Sequence, residues 1–214
     1  VGPIELKLDH ASRSWKVSQI LWVPDPAKGE RFPISAKSHA HPSRFRSDAS
    51  GQLREYMYVI PYRNHGAHVL LMKRTTGWMP VAAVTTAMKL QGEDDDGPFA
   101  DLDPYDGVFW NDLDKNGIPT RDECEIVKAP EPKGRRRKQT GLRLGSGWGG
   151  RMAEDLSFYT GGITKYAPIG FDDEGAPRYG TKGMSKVGVE DWGTLVPVHA
   201  EDLLLCLSWK GYAG

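Results

Sequence analysis

Glu55, Tyr56, Met57, Tyr58, Val59, Ile60, Pro61 and Tyr62 form an unbroken run of mostly aromatic and branched residues, with a turn signal at Ser47 to Gly51 before it and another at Arg63 to Gly66 after it. Such residues fit a pleated, packed surface, so the run reads as a strand. The cadence continues: Ala67 to Arg74 is a strand, Thr75 to Gly77 a turn, and Trp78 to Val84 a further strand. Along the first of these, Met57 and Val59 alternate with Tyr56, Tyr58 and Ile60, so both faces are apolar and both must be covered. Helices do that in α/β proteins, but here the best helical period over ten residues is Val81 to Leu90 alone. Sheet packed on sheet is what remains, and the fold class is all-β.

Outward from this core the same pattern recurs. Ile4 to Leu8 and Trp15 to Val23 read as strands around a polar turn at Asp9 to Ser14, and Lys28 to Arg46 is irregular and rich in Ser, Pro and His. Toward the C-terminus, Ala153 to Tyr159, Ile163 to Tyr166, Thr194 to Val198 and Asp202 to Trp209 read as strands, with a turn at Phe171 to Gly175. Short strands every 8 to 12 residues or so, apolar on both faces, match the blades of a β-propeller; the competing arrangement is a β-sandwich. At roughly 40 to 50 residues per blade the chain holds about four blades, fewer than most closed rings, which implies part of a larger propeller or assembly. The expected organisation is blades over residues 1–92, an insertion over 93–143, and blades again over 144–214.

The insertion carries the sharpest motif. Asp112, Leu113, Asp114, Lys115, Asn116, Gly117, Ile118, Pro119, Thr120, Arg121, Asp122 and Glu123 place oxygen-bearing side chains at loop positions 1, 3, 5, 9 and 12, with glycine at 6. Calcium is a hard cation that takes about 6 to 8 oxygen ligands. Asp112, Asp114 and Asn116 would supply the first arm, the Ile118 carbonyl the middle, Thr120 position 9, and Glu123 both carboxylate oxygens. Asp, Asn and Gly also favour any tight turn, because their side chains bond their own backbone. Pro119 at position 8 has no N–H to pair with a second loop, so a paired EF-hand is not expected. Upstream, Asp106 to Trp110 reads as a turn and strand; downstream, Thr120 to Val127 could make two helical turns before Pro130 and Pro132. The loop thus looks like a clasp set into β structure.

Composition narrows the classes. With 39% apolar residues, 25 Gly and 15 Pro in 214 residues, the chain is turn-rich and able to fold. No apolar stretch approaches the roughly 18 residues of a membrane span. Net charge is zero, with 28 basic and 28 acidic residues, yet the signs are segregated: Glu93 to Glu125 hold 12 of the acids, and Lys133, Arg135, Arg136, Arg137, Lys138 and Arg143 follow as a basic block. That block has no interleaved aromatics, so it reads as a solvated loop and nucleic acid is not an expected partner; contact with a polyanion is the competing use. Two cysteines, Cys124 and Cys206, permit one disulfide and leave the redox compartment open.

Other candidates are weaker. His39 and His41 lack a third ligand nearby, and Gly145 to Gly150 lacks the Lys-Ser/Thr of a phosphate loop. Glu154 with Asp155, or Asp172 with Asp173, could offer acid and base to a glycan, although neighbours on a strand point to opposite faces.

Three stretches carry a family resemblance: Phe109 to Gly117 followed by Asp122 and Glu123; Trp148, Gly149 and Gly150 with Glu154, Asp155 and Leu156; and Ile163 to Phe171 with Gly175 to Tyr179. Together they resemble NHL/WD40-like β-propeller proteins of planctomycetes and related bacteria that carry an EF-hand-like calcium loop insertion. The resemblance covers about Val108 to Gly180 and transfers no catalytic residue. It implies a calcium-stabilised, extracytoplasmic propeller, and the expected function is a non-catalytic binding or scaffold module for a protein or glycan ligand. The alternative is a polysaccharide-active enzyme, a hydrolase or lyase domain.

Overall fold

The computed structural model describes residues 4–20, 38–40, 44–61, 67–75, 77–91, 97–131, 139–144, 151–160, 164–187, 193–198 and 203–208. In chain order the strands are β1 (Ile4–Asp9), β2 (Ser14–Ile20), β3 (Ser38–Ala40), β4 (Arg44–Ser47), β5 (Leu53–Pro61), β6 (Ala67–Arg74), β7 (Gly77–Thr86), β8 (Gly107–Asn111), β9 (Cys124–Val127), β10 (Arg151–Met152), β11 (Phe158–Thr160), β12 (Thr164–Tyr166), β13 (Gly170–Phe171), β14 (Pro177–Arg178), β15 (Met184–Lys186), β16 (Gly193–Val198) and β17 (Leu203–Ser208). Among the described residues there is no α-helix, only three single turns of 3-10 helix. The protein is all-β, and every pairing among the described strands is antiparallel.

The largest sheet has seven strands in the order β3-β5-β6-β7-β8-β9, with β4 sharing the edge of β5 beside β3. The strands expected at residues 55–62, 67–74 and 78–84 are its centre, as β5, β6 and β7. It continues through β8 and β9, which lie within the expected insertion and are full members of the sheet. Tyr56, Tyr58, Ile60, Leu70, Met72, Val84 and Phe109 cover one face, and Val59, Val69, Leu71, Ala83 and Trp110 the other, all essentially buried. Both faces are dry, which is why neither shows the polar alternation of a half-wet sheet.

The register slips between Leu70 and Leu71, where Leu70 pairs with Ala82 and Leu71 with Pro80. Val81 is therefore an extra residue, and Val81 and Ala82 both reach the first face. A bulge is where a strand tolerates proline, since Pro80 has no N–H to give to the ladder.

A four-stranded sheet, β10-β11-β12-β15, lies over the first face: Met152, Phe158 and Tyr166 share a core with the tyrosines of β5. Phe158 stacks on Tyr166 with ring centroids 4.9 Å apart and meets Tyr179 edge-on at 5.4 Å. Of the strand expected over 153–159, Phe158 and Tyr159 lie in β11, while the residues before them form a turn, because Asp155 takes the N–H and hydroxyl of Ser157 and Leu156 adopts a left-handed φ of 63°. At the β8 end of the second face, Leu90, Phe99 and Leu102 pack against Val108. The remaining pairs β1-β2, β13-β14 and β16-β17 are two-stranded. No helix among the described residues is long and apolar enough to cross a membrane.

Candidate metal site

The loop leaves β8 at Asp112 and returns to the same sheet at β9, so its two ends are fixed by neighbouring strands. The ladder runs one step past β8: the Asp112 N–H donates to the Val81 carbonyl at 3.0 Å. The chain then turns through two left-handed residues, Lys115 at φ 65° and Gly117 at φ 75°. Gly117 sits down on β7, where an added Cβ would lie 3.1 Å from Met79 Cε and 3.4 Å from Pro80 Cδ. Two helical turns were expected over 120–127. One 3-10 turn forms instead, at Arg121–Glu123, and the chain extends at once into β9, where Cys124 and Ile126 pair with Trp110 and Val108.

Glu123 is the hub of the loop. Its Oε1 accepts the N–H groups of Leu113 at 2.7 Å and Asp114 at 3.1 Å, and its Oε2 accepts from Trp110 Nε1 at 3.0 Å, from the Thr120 N–H at 3.2 Å and from the Thr120 hydroxyl at 2.9 Å. A bidentate role toward an ion would share lone pairs with these donors. The exposed half is local: Asn116 N–H donates to Asp114 Oδ1 at 3.1 Å, and Ile118 N–H to Asn116 Oδ1 at 2.6 Å.

Asp112 is different. Its side chain is fully buried, and Oδ1 accepts the Gly117 N–H at 2.8 Å. Among the described residues Oδ2 has no hydrogen-bond partner. Its nearest counter-charge is Arg74, whose Nη2 lies 3.7 Å away. Burial pushes the carboxyl above its ordinary range; the Gly117 N–H and Arg74 oppose this, while Glu123 and Asp114 reinforce it. A buried carboxylate oxygen without a donor costs free energy that a cation would recover.

Asp112, Asp114 and Glu123 each bring one oxygen to within 4.8 Å of the others. Oxygens on opposite sides of one calcium ion are separated by about 4.6 to 5.2 Å, twice the usual bond length, so one ion fits among them. The cluster could therefore hold a metal ion, and the residue set suits a hard one: it is all oxygen, with Asn116, Thr120 and the Ile118 carbonyl on the same loop.

Sequence spacing did not reveal Arg74, Trp110 or Glu174 as part of this site. Arg74 Nη1 donates to the Lys115 carbonyl at 3.1 Å, and its Nη2 lies 3.6 Å from Glu174 Oε2. Lys115 Nζ donates to Glu174 at 2.8 Å and to Asp173 at 3.1 Å, tying the loop to the β13–β14 turn. The only signal was a pair of basic residues, Lys73 and Arg74, closing an apolar strand in a chain with a concentrated acidic segment.

The other candidates have different settings. The carboxylates of Asp155 and Asp172 accept backbone N–H groups of their own turns, and Asp173 pairs with Lys115. His39 lies on β3 opposite Ile60, whereas His41, the Gly145 to Gly150 run and Lys133 to Lys138 fall outside the described residues. Arg143 is exposed. Cys124 is a free thiol whose pKa burial pushes up to about 12, so it is not a reactive thiolate at neutral pH.

The fold and site thus define an all-β protein of antiparallel sheets with an acidic loop between two neighbouring strands. Comparison with protein families, with curated proteins and with solved structures finds no match for this chain.

Proposed function

We propose that the chain is a non-catalytic binding or scaffold module in which calcium, held at the Asp112–Glu123 loop, clasps the large sheet. The observation that carries this reading is the buried Asp112 Oδ2, which lacks a hydrogen bond among the described residues, on a carboxylate that brings one oxygen to within 4.8 Å of oxygens of Asp114 and Glu123. Asp112, Asp114 and Asn116 would ligate through side chains, Ile118 through its carbonyl, Thr120 at position 9 directly or through water, and Glu123 last, once its N–H donors yield. Calcium would neutralise the cluster and fix β8 to β9, a structural rather than a chemical role.

On the fold, two arrangements keep support. The four-stranded sheet has the width of a propeller blade and stacks face to face on its neighbour as blades do. The larger sheet, six positions across, exceeds a blade and suits a two-sheet sandwich. The extracytoplasmic setting is the one the family resemblance implies, and extracellular calcium modules work at dissociation constants of about 10⁻⁴ to 10⁻³ M. A protein or glycan ligand would be met by loops at the sheet ends.

Differential scanning calorimetry tests the reading. Calcium at about 100 to 1,000 times its dissociation constant should stabilise the fold by about 3 to 4 kcal/mol, and chelator should reverse the rise in Tm. A Tm indifferent to both would remove calcium from the loop.

A further inference from the structure

Arg74 already occupies the neighbourhood that an incoming cation would need. Its side chain is only 14% exposed, so its charge is weakly screened, and one nitrogen, Nη2, lies 3.7 Å from Asp112 Oδ2 and 3.6 Å from Glu174 Oε2. Both contacts are longer than good hydrogen bonds, so the guanidinium is shared between two carboxylates and settled on neither. A divalent ion bound to Asp112 Oδ2 would face a like charge within a few ångströms, in surroundings of low dielectric.

The second carboxylate stands on a built platform. Asp172 Oδ1 accepts the N–H groups of Glu174 at 2.9 Å and Ala176 at 2.7 Å, and the Tyr56 hydroxyl donates to the Gly175 carbonyl at 2.7 Å. Gly175 has a φ of 90°, and an added Cβ there would lie 3.0 Å from Asp48 Cβ, so the turn is seated closely on the edge of the main sheet.

We propose that Arg74 is a resident counter-cation of the acidic loop, which a divalent ion must displace from Asp112 and which Glu174, on the β13–β14 turn, receives. This rests on the reading of the loop as a calcium site and adds its regulation. Affinity is then set by a turn some sixty residues away in sequence, and any partner that draws Glu174 away loosens the ion. By linkage the converse holds: calcium drives Arg74 toward Glu174 and tightens the loop against that turn.

Isothermal titration with calcium chloride at low ionic strength, on the wild type, Arg74→Gln, Arg74→Lys and Glu174→Gln, tests this, with Tm recorded with and without calcium. Arg74→Gln should bind about tenfold tighter, with a lower Tm in chelator and a larger calcium-induced rise than the wild type. Arg74→Lys, which keeps the charge, should stay within about threefold of wild type, and Glu174→Gln should bind about threefold weaker. Equal affinity of wild type and Arg74→Gln would overturn the competition while leaving the calcium reading intact. Binding by Arg74→Gln alone would support it in its strongest form. No binding by any variant would overturn both. Should Arg74→Gln fail to fold, the half-buried Glu174→Gln decides, and an unchanged affinity there sinks the proposal.

Discussion

The two ends of β8 carry the same residue in opposite situations. Asp106 immediately precedes the strand and Asp112 immediately follows it; they are 1% and 4% exposed. At Asp106, Oδ2 accepts the Lys128 ammonium at 2.8 Å and Oδ1 accepts the Ala129 N–H at 2.8 Å. Burial raises its pKa, but those partners outweigh it and the net shift is downward. At Asp112, burial prevails over one N–H and one distant guanidinium, and the shift is upward. Burial is common to both, so the partners decide: Asp106 is a completed structural ion pair, and Asp112 is an anion still short of a donor.

The sharpest way to break this contrast is to make both aspartates amides. Asp112→Asn should abolish the calcium-dependent stabilisation of about 3 to 4 kcal/mol, yet leave the chelated protein within about 1 kcal/mol of wild type, since little is lost when an underserved charge is neutralised. Asp106→Asn should cost about 1.5 to 3 kcal/mol through the loss of its charged hydrogen bonds, and should keep the full calcium response. Urea melts in calcium and in chelator separate these outcomes. If both variants lose the calcium response, the two ends are not distinct.

Acid sharpens the same contrast, with opposite signs. The folded-state pKa of Asp106 is depressed, so its stabilisation is present above the unfolded value near 3.8 and is lost as pH falls through the lower folded value. The folded-state pKa of Asp112 is raised, so the folded protein holds more protons there than the unfolded chain, and stability falls as pH rises from about 3.8 through that higher value. In chelator, Asp106→Asn should flatten the acid limb of the stability curve, and Asp112→Asn should remove a decline on its neutral side.

Local chemistry was what the sequence made legible. Runs such as Tyr56 to Ile60 and Val69 to Met72 announced strands because they needed cover on two faces, and glycine with polar residues marked most of their ends. The loop was equally readable, because Asp112, Asp114, Asn116, Gly117 and Glu123 act on one another within twelve residues. The helical period in Val81 to Leu90, the one exception to the strand cadence, marks no helix: its first six residues finish β7 and Ala87–Lys89 make a single 3-10 turn. Thr120 to Val127 misled: Cys124, Ile126 and Val127 had a strand waiting in β8, and tertiary pairing overrode local preference. Lys128 completing Asp106, and Arg74 standing between Asp112 and Glu174, are encounters made only by folding, so no spacing announces them.

The glycine of the loop gives a smaller test. Gly117→Ala must hold a left-handed φ of 75° and place a methyl 3.1 Å from Met79 Cε, so it should cost about 1 to 2 kcal/mol even in chelator. Because the Gly117 N–H that serves Asp112 Oδ1 survives the substitution, calcium affinity should fall only as far as the turn is distorted. A Gly117→Ala protein as stable as wild type would mean that the turn adapts and the close seat on β7 is not required.

The least effect is expected at Lys115, whose ammonium spans Asp173 and Glu174 at the protein surface. The two carboxylates raise its pKa, so it is charged throughout the neutral range. Exposed pairs gain little and are screened by salt, so Lys115→Met should lower Tm only slightly, and the difference should vanish in about 1 M salt, where the screening length is about 3 Å. The direction of its effect on calcium is more informative than its size. Losing Lys115 frees the Glu174 carboxylate from a competing cation and leaves it better able to receive Arg74, so calcium should bind somewhat tighter even though a bridge between loop and turn is gone. A merely structural Lys115 would loosen the loop and weaken the ion; titrating Lys115→Met beside the wild type distinguishes the two by the sign of the change alone.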